Sequence, residues 1–240
     1  MSESAKTAPS NWGKTLIGPE HEKADVINRV FGKALGKSDW VARSGMPGNF
    51  YFNLDNIYSN LDMDKKDIKE VHAEIIDQME IGIRKIGASC VGFIMPNQGL
   101  AGVIQLRGIF AERFSIPTVV IRINERLLRN QIWFEQKSDV LNPPISPKSR
   151  VLLFCDAATS GTSIYRAALI VKKFGAKCSD ALVLFNRLQG ANDRLIIKHM
   201  ILTSFIDRKF FEHQGALKDD DFKHDGKGTR LEFESVSATV

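Results

Sequence analysis

Apolar residues recur along the chain at two periods, and the alternation of these periods predicts its architecture. Five short, continuous apolar runs predict strands at residues 90–95, 117–122, 150–155, 180–186 and 200–205. Amphipathic segments with apolar residues three and four positions apart predict helices at residues 20–35, 63–86, 100–114, 162–174 and 192–199. Continuous apolar runs are typical of strands buried on both faces. The pattern therefore predicts an α/β fold with a mostly parallel central sheet flanked by helices.

The two ends of the chain depart from this pattern. Residues 1–20 are rich in Ser, Ala, Pro, Gly and Lys, and predict a flexible N-terminal arm with Trp12 as a candidate anchor. Residues 207–240 are charged and predict a C-terminal extension outside the domain. The alternating pattern between these ends predicts one domain, at residues 21–206.

Composition narrows the class of protein. The chain has 240 residues, a formal charge of +5, 43% apolar residues and 25% charged residues, as in a soluble globular protein. No apolar run approaches ~18 residues, so we expect no membrane span. Lysine and arginine are spread along the sequence, which disfavours nucleic acid as a partner. Three cysteines without a CxxC pair, and no apolar core of a signal peptide, predict a cytoplasmic location.

The segment with the clearest chemistry follows the run at 150–155. One acidic residue, Asp156, ends the predicted strand, and a small hydroxylated loop precedes the next helix. The loop residues are Thr159, Ser160, Gly161, Thr162 and Ser163. Backbone N–H groups at a helix start, together with hydroxyls, can hold a phosphate, and glycine allows close approach. The alternative is that these residues only cap the helix while Asp156 closes the turn.

This segment resembles the ribose-phosphate loop of the type I phosphoribosyltransferases. In that family two acidic residues and a Thr-Thr-Gly-Gly/Thr-Ser/Thr loop hold phosphoribosyl pyrophosphate (PRPP). Residues 159–163 match the loop position by position, and Asp156 matches the second acid. Cys155 stands where the first acid is expected, and a neutral thiol cannot replace its charge. The resemblance implies the type I phosphoribosyltransferase fold, with a small hood at about 21–60 and a core at about 61–206.

Three further segments are similar to the orotate phosphoribosyltransferases within that family: residues 43–54, 96–102 and 186–190. The resemblance implies a base site, formed by Arg43, Phe50, Tyr51 and Arg187. It also implies a pyrophosphate loop, formed by Asn97, Gln98 and Gly99. The residues alone favour core packing of a short strand for the aromatic run at 50–52, and a solvated surface position for Arg187.

The region of the family's catalytic lid, at residues 122–133, contains neither Lys nor His. Arg122 and Arg126 keep positive charge there, and we take them with Asp156 as the candidate catalytic residues. The lid region also holds several large apolar residues. A fixed helix that packs on a partner subunit is therefore an equal alternative to a working lid.

The resemblance implies an enzyme that binds PRPP with Mg²⁺ and transfers 5-phosphoribose to a pyrimidine-type base, orotate first, with release of pyrophosphate. Mg²⁺ would be held mainly through PRPP, and the family implies a homodimer. Cys155 and the Lys-free lid favour an alternative. In it, the same scaffold binds PRPP or a nucleotide without turnover and regulates a partner.

Overall fold

The computed structural model describes residues 12–41, 47–59, 64–95, 100–122, 131–133 and 145–215. The strands are β1 (Leu35–Val41), β2 (Pro47–Phe52), β3 (Cys90–Met95), β4 (Thr118–Arg122), β5 (Gln131–Trp133), β6 (Arg150–Ala158), β7 (Lys177–Asn186) and β8 (Ile201–Asp207). The helices are α1 (Ala24–Gly32), α2 (Asp55–Ser59), α3 (Lys65–Ile86), α4 (Leu100–Arg113), α5 (Thr162–Lys173), α6 (Ala191–Ile197) and α7 (Arg208–His213). Among these ranges, no helix has both the length and the apolar character that crossing a bilayer requires.

Six strands form the central sheet in the order β5-β4-β3-β6-β7-β8. Neighbouring strands run parallel except β5, which is antiparallel to β4. Strands β1 and β2 form a separate antiparallel hairpin. The five strands predicted from apolar runs are all present, and the prediction of a mostly parallel sheet between helices is confirmed.

Two apolar clusters lie on the two faces of the sheet. Residues along each central strand alternate between them: Phe154 belongs to the cluster under α1, α3, α4 and α7, and Cys155 to the cluster under α5 and α6. This alternation follows from the period of two along a strand. Because both faces are covered, the strands are continuous apolar runs. For the same reason, ligands can reach the sheet only at the ends of its strands.

The start of the described chain pairs with the sheet. The Leu16 amide donates to the Ser204 carbonyl at 2.8 Å, and Trp12 Nε1 donates to Asp180 Oδ1 at 3.2 Å. The Trp12 ring also lies against Gly82, where an added Cβ would come within 2.1 Å of it. The flexible arm expected over residues 1–20 therefore does not include residues 12–17, because their backbone hydrogen bonds continue the sheet beside β8.

The C-terminal boundary also moves. Phe210 and Phe211 on α7 are 1% and 0% exposed, and the rings of Phe211 and Phe185 are 5.5 Å apart. Residues 207–213, which the sequence assigns to the extension, therefore pack against the domain, since these two phenylalanines belong to its core. Residues 216–240 lie outside the described residues.

Candidate functional site

The carboxyl ends of β6, β7 and β8 lie side by side at one end of the sheet. This end, where the parallel strands finish, is the ligand edge. Ala158 at the end of β6 faces Asn186 at the end of β7, and Asn186 faces Asp207 at the end of β8. Ligands of open parallel sheets bind at this edge. The register brings together Asp156, the hydroxylated loop and Arg187, which the sequence separates by up to about 30 residues.

The hydroxylated loop connects β6 to α5 through Gly161. Gly161 has a φ of 76° and occupies the N-cap position of α5, so no side chain there closes the first turn. An added Cβ would lie 3.0 Å from Leu195 Cγ and 3.4 Å from the Ala191 carbonyl oxygen, so both the φ angle and the space require glycine. The hydroxyls of Ser160 and Thr162 are 2.9 Å apart. This arrangement favours an anion cradle over a simple cap.

Asp156 is the acidic group of the site. Its Oδ1 accepts a hydrogen bond of 2.7 Å from the Ala157 amide and lies 3.4 Å from Cys155 Sγ. Asp156 is 8% exposed. The Oδ1 atom is thus engaged by the protein itself, which fixes the orientation of the carboxylate at the strand end.

Cys155 belongs to the apolar cluster under α5 and α6. Burial raises the pKa of the Cys155 thiol well above its ordinary value, and the neighbouring Asp156 charge raises it further. The thiol therefore stays protonated, with Sγ 3.4 Å from the Ala157 carbonyl oxygen. Cys155 supplies no negative charge to the site.

Arg187 is the basic group of the site, and it is 3% exposed. Its backbone amide donates to the Ala158 carbonyl at 3.0 Å, which continues the β6–β7 ladder by one residue. Burial lowers the pKa of Arg187 to about 9, and the charge of Asp156 acts in the opposite direction. The alternative of a solvated surface arginine is therefore wrong.

The loop that carries Arg187 contains polar residues that the sequence reasoning missed. Asn186 is 1% exposed; its Nδ2 donates to Asn192 Oδ1 at 2.7 Å, and its Oδ1 accepts from the Leu188 amide at 3.0 Å. Gly190, with a φ of 90°, caps α6 as Gly161 caps α5. A strand ending in Asn, followed by Gly four residues later, is the available sequence signal, but it does not reveal the Asn192 partner.

Comparison with known proteins identifies the architecture. No protein-family model matches the chain. Orotate phosphoribosyltransferase from Pyrococcus abyssi is 24% identical over 156 residues, 65% of this chain and 76% of the relative. The Aeropyrum pernix orotate phosphoribosyltransferase is 27% identical over 177 residues, 72% of this chain and 84% of the relative.

A crystal structure of the Aeropyrum pernix enzyme superposes with a TM-score of 0.60 at 23% identity, over 82% of this chain and 99% of the other. The fold is that of the type I phosphoribosyltransferases. Orotate phosphoribosyltransferase from Mycobacterium tuberculosis in complex with PRPP superposes with a TM-score of 0.51 at 16% identity, over 79% of this chain and 96% of the other. The resemblance drawn from the sequence motifs is thereby confirmed.

The hairpin β1–β2 falls within residues 21–60, the range in which the sequence resemblance implies a hood. Phe52 is 7% exposed and its ring centroid lies 5.1 Å from that of Phe185, so core packing is the correct interpretation for Phe52. Tyr51 is 36% exposed and faces Gly36 of β1, where an added Cβ would meet the tyrosine ring at 2.1 Å. The backbone of Phe50 lies in β2, and its side chain is outside what the structure describes.

Several expected site residues lie outside the described ranges: Arg43, Asn97, Gln98, Gly99 and Arg126. Arg122 is exposed at the end of β4, where it faces Met95 at the end of β3. This register places Arg122 at the ligand edge of the phosphoribosyltransferase fold. Residues 131–133 form β5, so the alternative of a fixed helix in the lid region is wrong for these three residues.

Within the described ranges, no group of three or more His, Cys, Asp or Glu side chains could hold a metal ion. Asp156 is a hard oxygen donor, and the protonated, buried Cys155 is not a ligand for Mg²⁺. Mg²⁺ keeps several waters and is commonly bound by one or two carboxylates together with substrate phosphates. A single carboxylate, Asp156, is compatible with a magnesium ion that arrives with a diphosphate and is held mainly by that ligand.

Proposed function

We propose that the chain binds PRPP with Mg²⁺ and transfers its 5-phosphoribosyl group to a pyrimidine-type base, with orotate as the first choice. The observation that carries the proposal is the meeting of an anion cradle, a fixed carboxylate and a buried guanidinium at the carboxyl edge of one parallel sheet. The cradle is residues 159–163, the carboxylate is Asp156 and the guanidinium is Arg187. Each of these groups matches one part of PRPP or of a base.

The reaction that fits these groups is a displacement at C1 of the ribose. A ring nitrogen of the base forms the N–C1 bond, the C1–O bond to the diphosphate breaks, and pyrophosphate leaves with that electron pair. The base loses the proton of its N–H group. Positive charge develops on the ribose as pyrophosphate leaves, and Asp156 would stabilise it through the ribose hydroxyls.

The remaining groups complete the proposed site. Residues 159–163 would hold the 5-phosphate with backbone amides and hydroxyls. Arg187 would face the oxygens of the base, because a planar guanidinium matches carboxylate and carbonyl geometry. Arg122 and Arg126 would stabilise the diphosphate. Asn97, Gln98 and Gly99 would contact the diphosphate, and Arg43, Phe50 and Tyr51 would surround the base.

The comparisons support this proposal through the described functions of the relatives. The two relatives compared by sequence are orotate phosphoribosyltransferases, and one of the similar structures contains PRPP. The matched region spans 76% and 84% of the length of these two relatives. A cytoplasmic homodimer is part of the proposal, and light scattering of the purified chain tests the dimer.

A second function is favoured by one observation, the burial of Cys155 among apolar side chains. The position of the family's first acid holds a protonated thiol that is 5% exposed and packed among apolar side chains. A site with one carboxylate can bind PRPP or a nucleotide and turn over slowly or not at all. The alternative is therefore a nucleotide-binding regulatory or effector protein on the same fold.

One experiment separates these functions. The chain is mixed with PRPP, Mg²⁺ and a panel of bases that includes orotate and uracil, and released pyrophosphate is measured. Release of pyrophosphate with one base supports the transferase. If the Thr159→Val/Thr162→Val variant no longer releases pyrophosphate, the activity depends on residues 159–163. Thr118→Val is the matched control, because Thr118 lies at the amino end of β4, away from the candidate site, and its hydroxyl accepts from Arg107.

Binding of PRPP without release of pyrophosphate supports the regulatory alternative. If calorimetry detects neither PRPP nor ribose 5-phosphate binding, both functions are wrong.

A further inference from the structure

We infer that Asn186 and Asn192 are positioning residues for Arg187, and that their side-chain pair holds the 186–190 loop in the shape that base recognition requires. The inference rests on the proposed function, since it assigns Arg187 to the base. It goes beyond that function by assigning a role to two asparagines that make no proposed contact with the ligand. The argument follows the hydrogen bonds, the backbone strain and the burial of this loop.

Asn186 uses both ends of its amide. Nδ2 donates to Asn192 Oδ1 at 2.7 Å on α6, and Oδ1 accepts from the Leu188 amide at 3.0 Å within the loop. Only a side chain with a donor and an acceptor can make both bonds. The amide is 1% exposed, so water does not replace either partner when one is removed.

These bonds hold a strained backbone. Leu188 has a φ of 57°, which is uncommon for a side chain that is not glycine, asparagine or aspartate. Such a conformation persists only when its surroundings enforce it, and it is concentrated at functional sites. The Asn186 side chain bonds the amide of the strained residue itself, so it is the group that enforces the turn.

Arg187 lies between the two fixed points of this loop. Its amide is bonded to the Ala158 carbonyl at 3.0 Å, and the next residue is held by Asn186. The direction in which the Arg187 side chain leaves the backbone is therefore set from both sides. A guanidinium that is 3% exposed cannot find a new position easily, because the packed interior offers few alternatives.

The test separates the base from the phosphate by comparing two ligands. Ribose 5-phosphate carries the phosphate and sugar alone, and orotidine 5′-monophosphate adds the base. Calorimetry gives the dissociation constant of ribose 5-phosphate divided by that of orotidine 5′-monophosphate. This ratio is measured for the wild-type chain, Asn186→Ala, Asn192→Ala and Arg187→Met. We expect each asparagine variant to lower this ratio about tenfold, by weakening only the nucleotide, with ribose 5-phosphate unchanged.

A double-mutant cycle distinguishes positioning from simple stabilisation. If Asn186 acts through Arg187, then Asn186→Ala in the Arg187→Met background gives no further change in the ratio. Asn192→Asp retains an oxygen that accepts from Asn186 Nδ2, so it should keep the wild-type ratio, whereas Asn192→Ala lowers it. Asn192→Ala keeps the test available if Asn186→Ala does not fold. Asn28→Ala, on α1, is the control for removing an amide elsewhere, because Asn28 is half-buried and its Oδ1 atom is buried.

Three results with the asparagine-to-alanine variants overturn the inference. These variants could weaken both ligands equally, leave the ratio unchanged, or still lower it in the Arg187→Met background. A wild-type chain that binds both ligands equally also overturns it, but leaves the phosphate cradle of the proposed function standing. A wild-type chain that binds neither ribose 5-phosphate nor PRPP overturns the proposed function itself.

Discussion

Two neighbouring strand-to-helix junctions build the site, and they share a backbone design while differing in chemistry. The first runs from β6 through Gly161 to α5, and the second runs from β7 through Gly190 to α6. Both glycines have positive φ angles, of 76° and 90°, and both occupy N-cap positions. The first junction presents hydroxyls, whereas the second carries a buried arginine on a loop whose backbone is bonded by Asn186, itself paired with Asn192.

The difference shows which kind of site is encoded locally. The first junction keeps its chemistry in five consecutive residues, 159–163, and Gly161 is pressed against Leu195 and Ala191 of α6. The second junction needs a partner on the following helix, Asn192, and a carbonyl on the neighbouring strand, at Ala158. One junction can be recognised as a motif, and the other becomes visible only when the elements are assembled.

The largest expected effect comes from adding a methyl group at each glycine in turn. Gly161→Ala places a Cβ 3.0 Å from Leu195 Cγ at a positive φ, so the loop must shift and phosphate binding should fall by more than about 100-fold. In Gly190→Ala, the added Cβ meets only Arg194 Nε, at 4.0 Å, so the positive φ is strained but no atoms clash. We therefore expect a smaller loss of phosphate binding than in Gly161→Ala. Calorimetry with ribose 5-phosphate measures both; equal losses would show that the two junctions are equivalent.

The next effect separates the ligands of the two junctions. Thr159→Val/Thr162→Val removes hydroxyls from the first junction and should weaken ribose 5-phosphate about 10- to 100-fold. Arg187→Met removes the guanidinium from the second junction and should leave ribose 5-phosphate unchanged. Titration of each variant with ribose 5-phosphate checks this, and a loss of phosphate binding in Arg187→Met would place that arginine at the phosphate instead.

A third prediction concerns the strand end that serves both junctions. Cys155→Asp would bury a carboxylate in the apolar cluster under α5 and α6 and should lower the free energy of unfolding at pH 7 by about 2–4 kcal/mol. Burial raises the pKa of such a carboxyl, so the loss shrinks as the pH falls and the group is protonated. Cys155→Ser is the uncharged control.

Urea unfolding of both Cys155 variants at pH 7 and pH 5 gives the comparison. A Cys155→Asp variant as stable as wild type at both pH values would show that residue 155 can turn toward the ligand edge.

The smallest effect tests the strain in the second junction. Leu188→Gly relieves a φ of 57° and should raise the free energy of unfolding by about 0.5–1 kcal/mol. His199→Gly is the matched control, because His199 has the same φ and follows α6 outside the site. Thermal unfolding should show both gains, and only Leu188→Gly should weaken orotidine 5′-monophosphate. Destabilisation by Leu188→Gly alone would mean that its side chain contributes more than the strain removes.

Much of the fold could be predicted from the sequence. The continuous apolar runs located all five parallel strands, because burial on both faces leaves no polar positions along them. The strand β5, with three residues, is too short to give a periodic signal. The pairing of residues 14–17 with β8 was also missed, since it rests on backbone hydrogen bonds that favour no particular side chains.

The candidate site divides in the same way. Asp156 and residues 159–163 could be proposed from the sequence because strand end, glycine and hydroxyls are close together along the chain. Arg187 was placed only through the resemblance, and its own sequence context favours a surface residue. Asn186 and Asn192 were not found, because a buried amide pair resembles any two polar residues until the loop between them is folded.

The sequence by itself determined the order of the five parallel strands and indicated residues 159–163 as a candidate phosphate loop, because both depend on periodicity or on adjacent side chains. Only the tertiary structure decided that Arg187 is buried, that Cys155 faces an apolar cluster and that Asn186 reaches Asn192. Each of these depends on strand register and on which face of the sheet a helix covers. A shift of one residue in register would exchange the faces on which Cys155 and Asp156 lie. No local sequence pattern shows which register the strand adopts.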